Sequence, residues 1–190
     1  MSTRQSGTVR IFWWATALHA LFAVLFTVLY FTEVRQILGI NAWIKPWKFA
    51  VTGAIYLATL ALLAKHLPDS YPESQGSRAA WIISAMIFGE VVLISLQSAR
   101  GVPSHFNQET LIDGVVYSVM GVMIMVNTVV FIRVFRHFFR GEQKVGGAYL
   151  AGIRWGAVLF VIGSLVGGAM SGLNRHRSEE RRVGKECLRL

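Results

Sequence analysis

Charge is scarce in this sequence. Asp, Glu, Lys and Arg make up 15% of its 190 residues, against about 25% in an ordinary soluble domain. The deficit excludes a conventional solvated surface. Cysteine is nearly absent as well, and the lone Cys187 excludes a disulfide framework within the chain. There is no HxxxH, HExxH or CxxC spacing, so no local metal-ligand pattern is present. Acidic residues number 10 against 19 basic ones, a net charge of +9. That excess does not signal nucleic acid. The basic residues lie in short connections between apolar runs, where they set topology and meet anionic headgroups.

What fills the sequence is apolar. Hydrophobic residues reach 54% and the mean hydropathy is +0.49. They come in runs of roughly 16 to 22, enough to cross a hydrocarbon core of about 30 Å. Five spans are expected, at about 11–31, 49–64, 81–98, 114–132 and 149–170, in a single transmembrane domain over 1–176. Runs this long and uniform are helices rather than barrel strands, because in lipid every backbone polar group must be satisfied internally. The fold class is therefore all-α, a polytopic helical membrane bundle. The first run is too long for a signal-peptide core and no small-x-small cleavage site follows it.

The end of the chain reads differently. Residues 177–187, RSEERRVGKEC, match the translation of a common short-read sequencing adapter, so 177–190 are set aside as an artefactual tail. Removing its five Lys/Arg and three Glu leaves a net charge of +7. The expectation is that the natural protein continues past His176.

Charge also argues orientation. With the N-terminus cytoplasmic, the inner segments carry Arg4, Arg10, Lys65, Arg78, Arg133, Arg136, Arg140, Lys144 and Arg154. The outer ones carry Arg35, Lys45, Lys48, Arg100 and Arg175. The positive-inside rule favours this arrangement. On either orientation the 32–48 connection, the 100–112 loop and the end of the fifth span share one side. Lys45, Lys48, Gln97, Arg100, His105, Asn107, Asp113, Asn174 and His176 are thus within reach of one face, here the extracytoplasmic one.

The chemistry concentrates between Phe88 and Asp113. Glu90 lies near the centre of the third span, where a carboxylate costs at least about 2.5 kcal/mol and so takes a partner or a protonated form. Gln97, nearly two turns on, projects from the same face, and Arg100 follows one turn later. This polar stripe suits a proton, ion or substrate path, or equally a structural hydrogen bond or ion pair between helices. The loop SARGVPSHFN adds His105 and Asn107 on a backbone shaped by Gly101 and Pro103. Arg100 with Lys45 and Lys48 can hold an anion, either a small solute or a lipid headgroup; headgroup contact and loop capping are the plainer alternative.

Other polar residues read as structural. His105, His176, Asp113 and Glu90 lack metal-ligand spacing, so no metal site is assigned and the cofactor is unknown. His19, toward the cytoplasmic half of the first span, is deeper than His66 and His137 and does not match them as a haem-ligand pair; a hydrogen-bonded core histidine fits better. Asn127, Ser118, Thr52 and Thr59 suit bridges between helices, and Met120, Met123 and Met125 suit packing. Gly152, Gly156, Gly163 and Gly167 line one face of the fifth span, where they invite close approach of a neighbouring helix.

The stretches INAWIKPWKF at 40–49 and SARGVPSHFN at 98–107, followed by Asp113, resemble a group of uncharacterised bacterial multi-pass integral membrane proteins. The resemblance covers most of 38–176. It implies a cytoplasmic (inner) membrane location and further spans after 176, and it carries no activity. The pattern of membrane ceramidase-like hydrolases is not met. Three functions stay open: a transporter-like or ligand-sensing protein built on Glu90, a membrane-embedded hydrolase or transferase using His105 with Glu90 or Asp113, and a structural subunit.

Overall fold

The computed structural model describes residues 6–68, 70–105, 107, 110–140 and 145–172. Asn174, Arg175, His176 and the 177–190 tail lie outside the described residues, as do Arg4 and Lys144. The described residues form five α-helices: α1 (Ser6–Thr32), α2 (Ile44–Ala64), α3 (Glu73–Arg100), α4 (Leu111–Phe135) and α5 (Gly147–Gly172). All five are long and apolar enough to cross a membrane. Their outer faces carry exposed Leu21, Val24, Ile55, Trp81, Val122 and Leu159, as lipid-facing surfaces should.

The helices run past the apolar stretches at several ends. In the expected loop 32–48, residues 36–41 form a two-stranded antiparallel hairpin, β1 (Gln36–Ile37) with β2 (Ile40–Asn41). Leu38 and Gly39 turn it with positive φ. Helix α2 then starts at Ile44 instead of 49. Its first hydrogen bond runs from Trp47 N–H to Trp43 C=O. Pro46 therefore falls among the donors that lack an intrahelical partner in any helix. The early start places Lys45 on the helix itself. Likewise α3 starts at Glu73 rather than 81, because its first turns pair with α1: Thr8 N–H donates to Glu73 Oε1 at 3.0 Å.

α3 ends in a Schellman motif. Gly101 takes φ +74°, its N–H donates to Ser98 C=O, and Val102 N–H donates to Gln97 C=O. That geometry satisfies orphan carbonyls and turns the chain back, and glycine is the residue that tolerates it.

The apolar core is in two parts. One gathers Phe12, Leu57, Leu60, Ile83, Phe131 and Phe135 at the end holding the α1 and α3 N-termini. The other gathers Phe26, Trp43, Ala50 and Val91 at the opposite end. Between these levels α1 buries His19 and α3 buries Glu90, and α4 buries Asn127. His19 stands at the middle of the 27-residue α1, deeper than the sequence suggests, because the helix begins at Ser6. Helix α5 covers α2 and α4 loosely, leaving an apolar groove of about 460 Å³ edged by Gly152 and Gly156. A side chain added at Gly152, Gly156, Gly163 or Gly167 would meet nothing within 4 Å. The glycine face is not used for close packing among the described residues.

Candidate functional site

Two structures occupy the face expected to hold the site: a clasp at its rim and a polar cleft below. The clasp closes the loop between α3 and α4. Asp113 Oδ1 accepts from Gln97 Nε2 at 3.0 Å and from Arg100 Nη1 at 2.7 Å. Its Oδ2 accepts from Thr110 Oγ1 at 2.7 Å, and its own N–H donates back to Thr110 Oγ1 at 3.2 Å. Arg100 Nη1 also donates to Gln97 Oε1. Thr110 thus N-caps α4 as Thr/Ser-x-x-acid spacing favours, with the Asp113 carboxylate accepting from the capping hydroxyl. Asp113 is 2% exposed, a buried carboxylate made tolerable by a cation and several donors.

The clasp gives Arg100 a carboxylate of its own. Arg35 braces the same end from the hairpin side, donating from Nη1 to Ala99 C=O at 2.8 Å and pairing with Glu33. Lys48 is exposed and does not join this group. The rim is therefore a closed clasp, and Lys45, half-buried at the start of α2, is the nearby cation that acts on the groups below it.

Between its clasped ends the loop folds into the bundle. Ser104 and Asn107 are buried. The His105 ring lies against Phe49 of α2 at 5.7 Å and Tyr117 of α4 at 6.3 Å between centroids. Ser104 Oγ stands 3.1 Å from His105 Nδ1. Burial, and then the Lys45 ammonium, push the His105 imidazole down to about 4. The ring is neutral near pH 7, because a desolvated site beside a cation disfavours a second positive charge.

Lys45 acts electrostatically on Glu90 as well as on His105. Glu90 is 5% exposed. It lines a cleft of about 250 Å³ together with Thr52, Tyr56, Asn127, Thr128 and Ser164. Glu90 is the one carboxylate among the described lining residues. Tyr56 and Asn127 join across the cleft, with hydroxyl and amide 3.4–3.5 Å apart. The stripe Glu90–Gln97–Arg100 is thus divided. Gln97 and Arg100 serve the clasp, and Glu90 faces Lys45 and the cleft.

His19 is the hydrogen-bonded core histidine that the sequence suggests, 1% exposed with Nδ1 2.8 Å from Ala15 C=O, and it stands behind the same cleft. Its ring packs edge-on to Phe88 at 6.1 Å and presses on Gly53, a cleft residue. A Cβ at Gly53 would fall 2.7 Å from His19 Cδ2. The pairing of a small residue with a distant ring has no signal in one sequence. The T-x-x-D spacing at Thr110 is such a signal.

His66 and His137 lie elsewhere, against Tyr149 at 5.2 Å and Tyr71 at 4.8 Å respectively. Among the described residues, no three His, Cys, Asp or Glu side chains gather as a metal site. Comparison with protein-family models, curated proteins and solved structures finds no match to this chain.

Proposed function

We propose that the protein is a transporter-like or ligand-sensing membrane protein in which Glu90 is the protonatable group and Lys45 the anion-binding one. The observation carrying this reading is a buried carboxylate at mid-helix that lines a cleft with other polar groups and lies within electrostatic reach of Lys45. A carboxylate at this depth is stable as one half of an ion pair or as the neutral acid. While ionised it neutralises Lys45. Once protonated it no longer offsets the Lys45 charge, which then favours a small anion, such as a carboxylate, in the cleft. Proton and anion then bind together.

The Arg100–Asp113 clasp holds the loop that carries His105 over this site, and the neutral His105 adds no competing charge. The extracytoplasmic placement of this face, in a bacterial inner membrane with the N-terminus inside, rests on the basic-residue asymmetry and on the resemblance.

The test uses thermal unfolding of wild type and Glu90→Gln with added acetate, from pH 6 to 8, where acetate stays ionised. Wild type should be stabilised more by the anion at low pH. Glu90→Gln, a fixed mimic of the neutral acid, should be stabilised equally at every pH. The same pH dependence in both proteins overturns the reading.

One contact favours a second reading, a membrane-embedded hydrolase. Ser104 Oγ lies 3.1 Å from Nδ1 of the neutral His105, as a nucleophile lies near its base. A fluorophosphonate probe would then label Ser104 in wild type and fail on His105→Ala. Absence of labelling in wild type removes this reading.

A further inference from the structure

Resting on the reading of Glu90 as a protonatable group, we infer that His19 is a second proton-binding site of the same cleft, reached from Glu90 across the bare backbone of Gly53. The His19 ring is 1% exposed. Its Nδ1 lies 2.8 Å from Ala15 C=O. A carbonyl only accepts, so Nδ1 carries the hydrogen and Nε2 of the neutral ring carries a lone pair. That Nε2 is buried with no hydrogen-bond partner among the described residues. An acceptor left so is expensive in a core, and it is the form in which imidazole accepts a proton.

The surroundings show where a proton would come from. The place of a Cβ on Gly53 is 3.3 Å from His19 Nε2 and 3.2 Å from Ile87 Cγ2. Ile87 and Glu90 both line the cleft and are three residues apart, one turn along one face of α3. Nε2 therefore faces the Gly53 wall of the cleft beside Ile87, one turn of α3 before Glu90, with glycine's missing side chain between. A histidine packed only for volume would sit equally well against alanine placed further off. Here the ring takes the space an alanine would occupy.

In the transfer, the O–H bond of the neutral Glu90 acid breaks and an Nε2–H bond forms, the proton passing through water in the cleft. The products are a carboxylate and an imidazolium, and no other reactant enters. Among the described residues, the titratable groups lining the cleft are Tyr56 from α2 and Glu90 from α3, with Lys45 of α2 acting on Glu90. α4 contributes the uncharged Asn127.

Nitrogen NMR of histidine-labelled protein in lipid nanodiscs, with His19→Gln identifying the signal, tests this. Carbon NMR of the glutamate carboxyls, assigned with Glu90→Gln, is recorded alongside. Between pH 4 and 9 the His19 signals should pass from the Nδ1–H tautomer to the imidazolium. The midpoint should differ by about one pH unit or more between wild type and Glu90→Gln, the mark of coupled sites. A His19 that keeps its Nδ1–H tautomer throughout, or converts at the same pH in both proteins, overturns the inference. If Glu90 still titrates in that case, the proposed function stands without His19. If Glu90 does not titrate either, both fall.

Discussion

Arg100 and Asp113 meet at 2.7 Å across the two ends of the loop, but the guanidinium is 41% exposed and the carboxylate 2%. The asymmetry makes the two halves unequal in energy. An exposed cation loses little by being left alone, whereas a buried anion loses much.

Asp113→Ala should therefore destabilise the protein by about 3 kcal/mol, since it strands Gln97 and Thr110 as well as the α4 cap. Arg100→Gln should cost about 1 kcal/mol or less. Unfolding in mixed micelles measures both. Equal losses would mean that the clasp is not organised around Asp113.

Gly101→Ala should cost about 1 kcal/mol, because φ +74° is a left-handed conformation that a Cβ disfavours. Nothing beyond Arg35 at 3.8 Å lies near the new methyl, so the loss is backbone strain alone. Hydrogen exchange should rise in the 101–105 segment and not at the far end of α3.

His105 predicts a pH dependence of stability. Its folded value is lowered from 6.5 to about 4, so between these limits the unfolded state binds the extra proton. Stability should accordingly be unaffected above about pH 6.5 and fall as pH drops from there toward 4, by about 2–3 kcal/mol in all. His105→Phe should flatten that part of the profile. An unchanged slope in the variant would show that the loss arises elsewhere.

Much of this architecture is legible in the sequence. Five apolar runs become five helices because length and uniformity leave the backbone no other way to be satisfied in lipid. Helix ends are less legible. α2 and α3 begin before their apolar runs, since the deciding contacts, such as Thr8 with Glu73, join residues far apart in sequence. The same holds for the site. Glu90 stands out as a carboxylate in an apolar run. That Asp113 takes up Arg100, while Lys45 acts on Glu90 and His105, depends on how the loop folds. Gln97 and Glu90 share a face as their spacing implies, yet they meet different partners because the helix passes from rim to cleft between them.

Gly53→Ala is a compact check on the cleft wall. The added methyl would fall 2.7 Å from the His19 ring, so the ring must move or the helices must part. A loss of about 1–3 kcal/mol is expected for such overpacking, together with loss of the His19 tautomer signal described above. His19→Ala with Gly53→Ala should recover part of the loss, and no recovery would place the strain elsewhere.

The central claim is that Glu90 takes up a proton when an anion binds at Lys45. Calorimetric titration of the purified protein with acetate near pH 7, in two buffers of different ionisation enthalpy, counts protons directly through linkage. Wild type should take up a substantial fraction of one proton, approaching about one, for each acetate bound, and Glu90→Gln should bind acetate with none. Equal proton uptake in the two proteins, or acetate binding in wild type without any, would contradict it.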